Sequence, residues 1–542
     1  MRTALVVGCV LLCRAIALAA GGDAADGKYP LDERTRVLAE DVASPAYQKL
    51  VDDMLLTDLA AEWQRVETAD SPAHFLANHG GKDRVLADPD LKQAHERRVD
   101  IHDKFLAIMR RGFQRYKRPA PFDQGATAEE AETKAGRAAA AGGKLEIVLP
   151  APGADEQWPR FRGPTGQGNS TAQNLPLHWS ATENVVWKSK LPGSGNSSPI
   201  IWQDRLFVTS AGEQGTQRSV HCLRLSDGSL LWSRTLPAHE VEPNVREKNG
   251  FASATPVTDG QRVIAFLGSG GLVAYDFAGR QLWHHPLPVF NTTWGTGASP
   301  LLYHDLVILV QDQNKAESLF IALDKNTGAP RWQQKRDKAM GWSTPIIVRA
   351  GDHDELIYAG GETVRGYDPH TGQELWVLRG ATREVVPTII VGRDLLYAAS
   401  GRQGPTLGLR PGGHGEVTDT HLAWRTPRGG PHVPSPVLYE GRLYTVNDTG
   451  IATCLNAADG KLLWQARIRD KFSASPLESQ GRLYCPSESG VTYVLEAGPK
   501  FKILAQNDLG QPILASPAAL NGRLYLRTAD EVFCLAKGAP GK

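Results

Sequence analysis

Cysteine is scarce in this sequence, and the few cysteines form no recognisable motif. Six of the 542 residues are Cys, and two of these, Cys9 and Cys13, lie in an apolar N-terminal stretch. The others include no C-x-x-C, no C-x-x-C-H and no adjacent pair, which excludes the common zinc, redox and haem-attachment patterns. A large domain with its own core does not depend on disulfides, so we expect thiols buried in strands. The four residues concerned are Cys222, Cys454, Cys485 and Cys534.

The sequence also lacks an excess of charge of either sign. Lys and Arg number 60 and Asp and Glu 59, a formal net charge of +1, which removes the general electrostatic case for nucleic-acid binding. No P-loop, nucleophile elbow, H-E-x-x-H or EF-hand pattern occurs. Beyond the N-terminus, no run approaches the ~20 apolar residues of a membrane helix. The sequence is rich instead in Gly, with 55, and in Pro, with 35, which favours a β-rich fold with many turns.

The N-terminus predicts export. Arg2 precedes an apolar run, Ala4–Cys13, which is followed by small residues. A basic start, a short apolar region and small residues at a cleavage point are the features of a secretory signal peptide, which we assign to residues 1–20. Arg14 interrupts the apolar region, so an uncleaved signal anchor is the alternative, and Cys9 gives a weaker similarity to a lipoprotein processing site. The expected location is periplasmic or otherwise extracytoplasmic.

Residues 28–118 predict a small α-helical N-terminal domain. Val51, Leu55 and Leu59 recur every four residues, which is the pattern of an amphipathic helix, and a second apolar face follows further on. Residues 119–156 are rich in Ala, Gly, Pro and Glu and predict a flexible linker. This part of the chain differs in kind from the rest, which contains all but one of the 13 Trp.

From residue 157 to 537 the chain repeats one pattern. Several repeats end in an apolar strand, a polar turn with Gly, and a strand that carries Trp. Gly supplies the positive φ that a tight hairpin turn requires. We expect the repeated Trp to pack between neighbouring repeats and not to act chemically. These structural tryptophans are Trp187, Trp232, Trp283, Trp332, Trp376, Trp424 and Trp464.

A second mark, a residue pair that ends in Pro, recurs eight times upstream of these endings. Successive marks lie 40 to 57 residues apart, and four short strands at such a period are the signature of a β-propeller. We therefore predict an all-β, eight-bladed β-propeller. The last repeat lacks a Trp strand, and residues 184–191 supply one with no repeat before it, so this N-terminal outer strand should close the ring. The marks are Ser198–Pro199, Thr255–Pro256, Ser299–Pro300, Thr344–Pro345, Val386–Pro387, Ser435–Pro436, Ser475–Pro476 and Ser516–Pro517.

These motifs resemble a known repeat. The Ser/Thr-Pro start, the Gly-Arg-Leu-Tyr strand at 441–444 and 522–525, and the Asp-x-x-Thr-Gly-x-x-x-Trp ending are similar to the PQQ-binding-like β-propeller repeat. That repeat is found in quinoprotein alcohol dehydrogenases and in the BamB-type outer-membrane assembly factor. The resemblance covers about 158–536 and is specific because it recurs along the chain.

The resemblance implies two classes of function, of which the first is enzymatic. The family's dehydrogenases hold PQQ and Ca²⁺ in the central funnel, with an Asp base and often a disulfide between adjacent Cys; the metal polarises the quinone and the base removes the alcohol proton. This sequence has no adjacent Cys pair, and no Asp lies in a matching local motif. We therefore assign no catalytic residue, expect no metal and no cofactor, and favour a protein without catalysis. A PQQ- and Ca²⁺-dependent alcohol or sugar dehydrogenase is the alternative.

The second class is a binding propeller, whose function depends on its loops. Loops that enter the first strand of each blade surround one end of the channel, and exposed aromatics with an Arg suit peptides or sugars. The alternative is that these residues pack the channel mouth and bind nothing. A metal site at His414, His421 and His432 has weaker support because their spacing fits no ligand pattern. The candidate binding residues are Asn196, Asn249, Trp294, Trp342, Arg383, His432 and Phe472.

The sequence therefore favours an exported scaffold that binds proteins or peptides of the cell envelope. Envelope proteins or peptides are the expected partners, with no nucleic acid and no transmembrane helix. An extracytoplasmic carbohydrate-binding or sensor module is a further alternative.

Overall fold

The structure is a computed structural model of the chain, which divides into two units, 1–137 and 138–542. In the first unit the described residues include helix α1 (Lys82–Ala87). The predicted signal peptide, most of the predicted helical domain and the start of the predicted linker lie outside the described residues. No helix in the described part of the chain has both the length and the apolar character needed to cross a membrane. The structure describes residues 82–89, 91–93, 95–96, 144–243, 245 and 248–539.

The second unit is built almost entirely of short strands. Its first strands are β1 (Glu146–Ile147), β2 (Val185–Lys190), β3 (Ile200–Trp202), β4 (Arg205–Gly212), β5 (Gln217–Arg224), β6 (Leu230–Pro237), β7 (Val257–Thr258), β8 (Arg262–Phe266), β9 (Leu272–Asp276), β10 (Gln281–His285), β11 (Leu301–Tyr303), β12 (Leu306–Gln311), β13 (Ser318–Asp324) and β14 (Pro330–Arg336). Short 3₁₀ turns lie at Ala154–Glu156, Glu213–Gly215 and Gly268–Gly270.

The remaining elements continue to the C-terminus. They are β15 (Met340–Gly341), β16 (Ile346–Ala350), β17 (His353–Gly360), β18 (Thr363–Tyr367), β19 (Glu374–Arg379), β20 (Glu384–Val385), β21 (Ile390–Val391), β22 (Leu396–Ala399), β23 (Thr406–Leu409), β24 (Gly415–Glu416), α2 (Thr418–His421), β25 (Leu422–Arg425), β26 (Val437–Tyr439), β27 (Arg442–Val446), β28 (Ile451–Asn456), β29 (Leu462–Arg467), β30 (Leu477–Ser479), β31 (Arg482–Pro486), β32 (Val491–Glu496), β33 (Ile503–Asp508), β34 (Ala518–Leu520), β35 (Arg523–Arg527) and β36 (Glu531–Ala536).

These strands form eight antiparallel blades, which confirms the predicted eight-bladed β-propeller. Blade 1 is β3–β6, blade 2 is β7–β10, blade 3 is β11–β14, and blade 4 has β16–β19 at its centre. Blade 5 is β21, β22, β23 and β25, blade 6 is β26–β29, and blade 7 is β30–β33. Blade 8 combines β34, β35 and β36 with β2 from the start of the unit.

The ring is closed by the predicted N-terminal outer strand. β2 pairs antiparallel with β36, with Trp187 opposite Cys534. The chain thereby completes blade 8 with hydrogen bonds between its two ends, and no unpaired edge of β36 remains to recruit another strand. Trp187 is buried and donates its indole N–H to the carbonyl oxygen of Leu225 in blade 1, at 3.0 Å.

The pattern of apolar and polar residues in each strand follows the strand's position within its blade. The inner strands are buried on both faces, so they read as continuous apolar runs: every residue of β12 (Leu306–Gln311) is buried. The outer strands have one solvent-facing side, and β29 (Leu462–Arg467) alternates between exposed and partly buried residues. The core therefore consists of apolar layers between neighbouring blades; one joins Ile264 of blade 2 to Leu309 of blade 3.

The repeated tryptophans connect neighbouring blades. Six of the seven donate their indole N–H to a backbone carbonyl of the next blade, at 2.9–3.2 Å. Most of these rings also lie against a turn glycine of that blade, where an added Cβ would come within 3 Å of the ring. Trp376 differs, because its indole N–H is donated to the buried carboxylate of Glu355 in its own blade, at 2.8 Å.

Blade 4 carries an extra strand at each edge. β1 pairs antiparallel with β16, and the short strand β24 pairs in parallel with β19. Residues 146–147 thus belong to a sheet, although they fall in the segment for which the sequence predicts a linker. The segment that contains β24 approaches Glu355, whose Oε2 also accepts the N–H of Gly412 at 3.3 Å.

The four cysteines that follow the N-terminal stretch are free and buried. They occupy strands β5, β28, β31 and β36. Burial raises the pKa of Cys222 and Cys534 to about 12 and that of Cys454 to about 11, and it raises the pKa of Cys485 as well. Because the thiolate is the reactive form, these side chains are unreactive towards thiol reagents in the folded protein.

We expect no cysteine of the folded, processed protein to react with a thiol reagent such as dithiobisnitrobenzoate on the minute timescale, because all four thiols are buried and protonated. In concentrated guanidinium the processed chain should release four equivalents, whereas a chain that keeps its N-terminus should release six. A thiol that reacts quickly in the native protein, or two equivalents after unfolding, would contradict the assignment of four free buried cysteines.

Candidate functional site

A cavity of about 710 Å³ lies at one end of the propeller. Its wall is formed chiefly by the segments that lead into the first strand of each blade, and every blade contributes at least one lining residue. The site therefore exists only when the ring is closed. Its volume is in the range of cavities that enclose small ligands or short peptide segments.

Five of the seven residues that the sequence proposed for the channel mouth line this cavity: Asn196, Asn249, Trp294, Trp342 and His432. The structure brings together residues that are separated by up to 236 positions in the chain. The cavity is mixed in character, with two indole rings, two amides and an imidazole on one continuous wall.

Two of the proposed residues do not line the cavity. Phe472 is 1% exposed and packs between blades 6 and 7 against Tyr493, with ring centroids 5.9 Å apart. Arg383 lies on the surface. The arginine that does line the cavity is Arg402, which comes from the loop between β22 and β23 and not from a segment that enters a blade.

Hydrogen bonds hold the aromatic side of the cavity in place. The Asn249 side-chain amide donates to the carbonyl oxygens of Trp294 and Thr296, at 2.7 and 2.9 Å. Trp342 donates its indole N–H to the carbonyl oxygen of Gly295, at 2.8 Å. Trp294 remains 37% exposed, whereas Trp342 is 9% exposed. One indole is thus a fixed part of the wall, and the other offers open aromatic surface to a ligand.

Ion pairs surround the opening of the cavity. Lys248 of the segment before blade 2 reaches Glu488 of blade 7, with Nζ and Oε1 2.8 Å apart. On another side, Glu384 accepts from Arg402 and lies 3.3 Å from His432 Nε2. The hydrogen bond from Arg402 to Glu384 raises the pKa of the guanidinium. Each rim cation therefore has a carboxylate beside it.

The loop that carries Arg402 is strained. Arg402 and the next residue, Gln403, adopt φ of 53° and 60°, in the left-handed region that side chains other than glycine rarely occupy. Such conformations cost about 1–3 kcal/mol each and are common where a side chain must be presented at a fixed position. In this loop the left-handed backbone conformation holds the Arg402 guanidinium at the cavity wall.

Deeper in the cavity, hydroxyl groups link the blades around the channel. In six cases the backbone N–H of one blade's Ser or Thr mark donates to the side-chain oxygen of the next blade's mark, at 2.9–3.1 Å. We call the members of this set that line the cavity the hydroxyl ring. They are Ser198, Ser299, Thr344, Ser435, Ser475 and Ser516.

Blade 5 departs from the expected mark. The sequence placed it at Val386–Pro387, but Thr388 stands two residues before the first strand, as the other marks do, and its N–H donates to Ser435 Oγ at 3.0 Å. The pair that corresponds to Ser-Pro is therefore Thr388–Ile389. Val386 instead lines the cavity and adds an apolar patch to its wall.

A segment that precedes the propeller crosses the channel below the cavity. Residues 158–170, which we call the plug segment, contact blades 1 and 2 at one end and blades 5 to 7 at the other. Phe161 of this segment lines the cavity. Arg162 is buried and donates to Thr388 Oγ1 at 3.0 Å and to the carbonyl oxygen of Gln167 at 2.8 Å. Phe161 and the rest of the plug segment thus form a floor to the cavity.

The lining does not fit a calcium site. Ca²⁺ takes six to eight oxygen ligands and usually several carboxylates, whereas Asp448 is the one carboxylate among the lining residues. Across the described residues there is no group of three or more His, Cys, Asp or Glu side chains placed to hold a metal ion. His414 and His421 do not line the cavity with His432. The cavity wall therefore lacks the set of oxygen ligands on which a Ca²⁺-assisted oxidation would depend.

Comparison with known proteins confirms the resemblance to the PQQ-like repeat. A family model described as outer membrane protein assembly factor BamB matches residues 177–293, 217–409 and 413–498. No curated protein matches the chain.

Two solved structures of quinohemoprotein alcohol dehydrogenases share the fold at low sequence identity. The quinohemoprotein alcohol dehydrogenase ADHIIG from Pseudomonas putida HK5 is 12% identical, with a TM-score of 0.55 over 72% of this chain and 81% of its own. The quinohemoprotein alcohol dehydrogenase from Comamonas testosteroni is 11% identical, with a TM-score of 0.53 over 71% and 81%. BamB from Moraxella catarrhalis is 18% identical, with a TM-score of 0.49 over 65% and 98%.

Proposed function

The chain belongs to the family of the outer membrane protein assembly factor BamB, and from this premise we propose that it is an exported scaffold that binds peptide segments of envelope proteins. The binding site is the cavity at the mouth of the propeller. The chemistry of its wall carries the proposal, because a peptide needs hydrogen-bond donors, hydrogen-bond acceptors and apolar surface together.

The wall supplies all three. Asn196 and Asn249 direct their N–H groups into the protein, to Lys248 and to the segment 294–296, so their side-chain oxygens are left to accept from a ligand. The hydroxyl ring supplies donors for peptide carbonyls. Trp294 supplies open aromatic surface, and aromatic side chains in such settings contribute a large share of binding energy.

Replacing Trp294 with alanine is expected to weaken peptide binding at least tenfold, which corresponds to about 1.4 kcal/mol of lost affinity. The probes are 12-residue peptides fixed by their N-termini in an array, followed by anisotropy measurements with a fluorescein-labelled peptide from the strongest spot. Leu462→Ala is the matched control, because Leu462 is 59% exposed on the outer strand of blade 6, away from the cavity.

Two outcomes would overturn the proposal: no peptide binds above background, or Trp294→Ala and Leu462→Ala bind equally well. The competing dehydrogenase function is tested on the same protein by titration with PQQ, with and without Ca²⁺, followed by dye reduction with alcohols and sugars. Saturable, Ca²⁺-dependent binding with turnover would replace the scaffold proposal. A glycan array tests the carbohydrate-binding alternative in the same way.

A further inference from the structure

The hydroxyl ring has donors without acceptors. Five of its six oxygens, all but that of Ser198, accept a backbone N–H from the preceding blade. None of the six hydroxyls donates a hydrogen bond to another described residue of the protein, so their O–H groups are available to the cavity that they line. Several O–H donors that surround one channel axis favour a ligand group with several lone pairs at the same place.

Three buried arginines lie near this ring. Arg162 donates to Thr388, the blade 5 counterpart of the ring residues, and Arg527 donates to the carbonyl oxygen of Ser197, next to Ser198. Arg160 borders a small void together with Thr344 and Thr388, and Phe161 separates this void from the main cavity. Arg160 and Arg162 belong to the plug segment at the base of the cavity, whereas Arg527 lies between blades 8 and 1 and also donates to the carbonyl oxygen of Thr209, at 2.6 Å.

These three charges have no carboxylate partner among the described residues; their hydrogen bonds run to carbonyl and hydroxyl oxygens. Each guanidinium also keeps one buried nitrogen without any hydrogen-bond partner. Burial lowers the pKa of Arg160 to about 10 and those of Arg162 and Arg527 to about 9, with no acidic neighbour to oppose the shift. Buried positive charge of this kind is costly unless an anion compensates it.

The charge balance differs between the rim and the base of the cavity. At the rim, Lys248 faces Glu488, and Arg402 faces Glu384. At the base, Arg160 and Arg162 have no carboxylate partner in the described part of the chain, and the buried carboxylate of Glu478 accepts instead from Asn169 of the plug segment, at 3.0 Å. Two unpaired guanidinium groups behind a low-dielectric wall make the potential at the floor more positive. An anion at the inner end of a ligand that enters through the rim would compensate the charge of these two guanidinium groups.

We propose that the floor of the cavity binds the C-terminal carboxylate of a peptide, held by the hydroxyl ring in front of the buried arginines. This inference rests on the proposed peptide-binding function and names the part of the peptide that enters first. The carboxylate oxygens accept from ring hydroxyls, and the side chain before them lies against Trp294 or Trp342. A chain end places a carboxylate at this depth, where the plug segment crosses the channel.

The experiment compares acetyl-Ala-Ala-Phe with a free carboxylate and the same tripeptide with a C-terminal amide, by calorimetry on the full chain. The acid should bind at least tenfold more tightly than the amide. Equal affinity would overturn the carboxylate site while leaving peptide binding intact. Failure of the acid to bind saturably would also overturn it, and binding in the array would then show that the proposed function survives on its own.

Variants of the ring provide the second measurement. Ser475→Ala should lower the ratio of acid to amide affinity by three- to tenfold, and Ser475→Thr, which keeps a hydroxyl, should restore it. Ser489→Ala is the control, because Ser489 lies in the same blade, outside the cavity, and donates its hydroxyl to Asp470 at 2.6 Å. The ratio is insensitive to the fraction of folded protein. An unchanged ratio in Ser475→Ala would contradict a role for the ring.

Discussion

Replacing Gly228 with alanine is expected to lower the free energy of unfolding by about 2–5 kcal/mol, combining backbone strain and overpacking. Gly228 has φ of 74° in the turn between β5 and β6, and an added Cβ would lie 2.5 Å from Cε3 of Trp187. Trp187 is on the strand that closes the ring, so it cannot move away without disturbing blade 8. The midpoint of chemical denaturation, with its slope checked for constancy, measures the effect.

Gly441→Ala is the matched control for this prediction. Gly441 has nearly the same φ, 70°, but an added Cβ there would meet no atom within 4 Å. Its substitution should therefore cost only the backbone term, about 1–2 kcal/mol. The difference between the two variants isolates the packing of the turn against Trp187. If Gly228→Ala were no worse than Gly441→Ala, the closing strand would be looser than the structure describes.

Glu242→Ala is expected to destabilise the protein by about 3–5 kcal/mol, because it leaves a buried guanidinium without its partner. Glu242 and Arg218 are both buried, with Oε2 and Nη2 2.6 Å apart. The other carboxylate oxygen accepts the N–H of Ser269 at 2.7 Å. This carboxylate anchors the long segment between blades 1 and 2, which carries Lys248 and Asn249 to the cavity. Peptide affinity should therefore fall together with stability, which denaturation and anisotropy measure in parallel.

Two comparisons separate this effect from a general loss of charge. Glu240→Ala, two residues earlier on the surface, should change stability by less than about 0.5 kcal/mol. The double variant Arg218→Met with Glu242→Leu should recover part of the loss, because an apolar pair of similar volume removes the isolated charge. A Glu242→Ala protein as stable as Glu240→Ala would show that the buried pair does not anchor the segment.

Much of the fold could be predicted from the sequence, because a propeller repeats one local pattern. The turn glycine before several of the Trp strands and the residue pair before seven of the eight first strands recur at a fixed distance from the strands they border. Those short-range features gave the number of blades. The Trp strand at 184–191 had no repeat of its own, and that mismatch was enough to predict how the ring closes.

The candidate site was only partly predictable. Position before a blade predicted Trp294 and Trp342 for the mouth, and both line the cavity, but it could not show that Phe472, in the same relative position, packs between two blades. Nor could it show that the lining arginine is Arg402, since that loop enters no blade. For blade 5, Pro387 indicated the wrong residue pair, because the hydrogen bond to the Ser435 hydroxyl oxygen comes from the N–H of Thr388.

The floor of the cavity had no signal in the sequence that could have revealed it. Arg162 and Thr388 are 226 positions apart, and their contact exists because the plug segment crosses a ring that is already closed. Local sequence patterns thus determine the strands, the turns, the number of blades and the closing strand. The cavity depends on the tertiary structure, because eight loops and the plug segment meet at a single axis. Which side chains face that axis is determined by the whole ring.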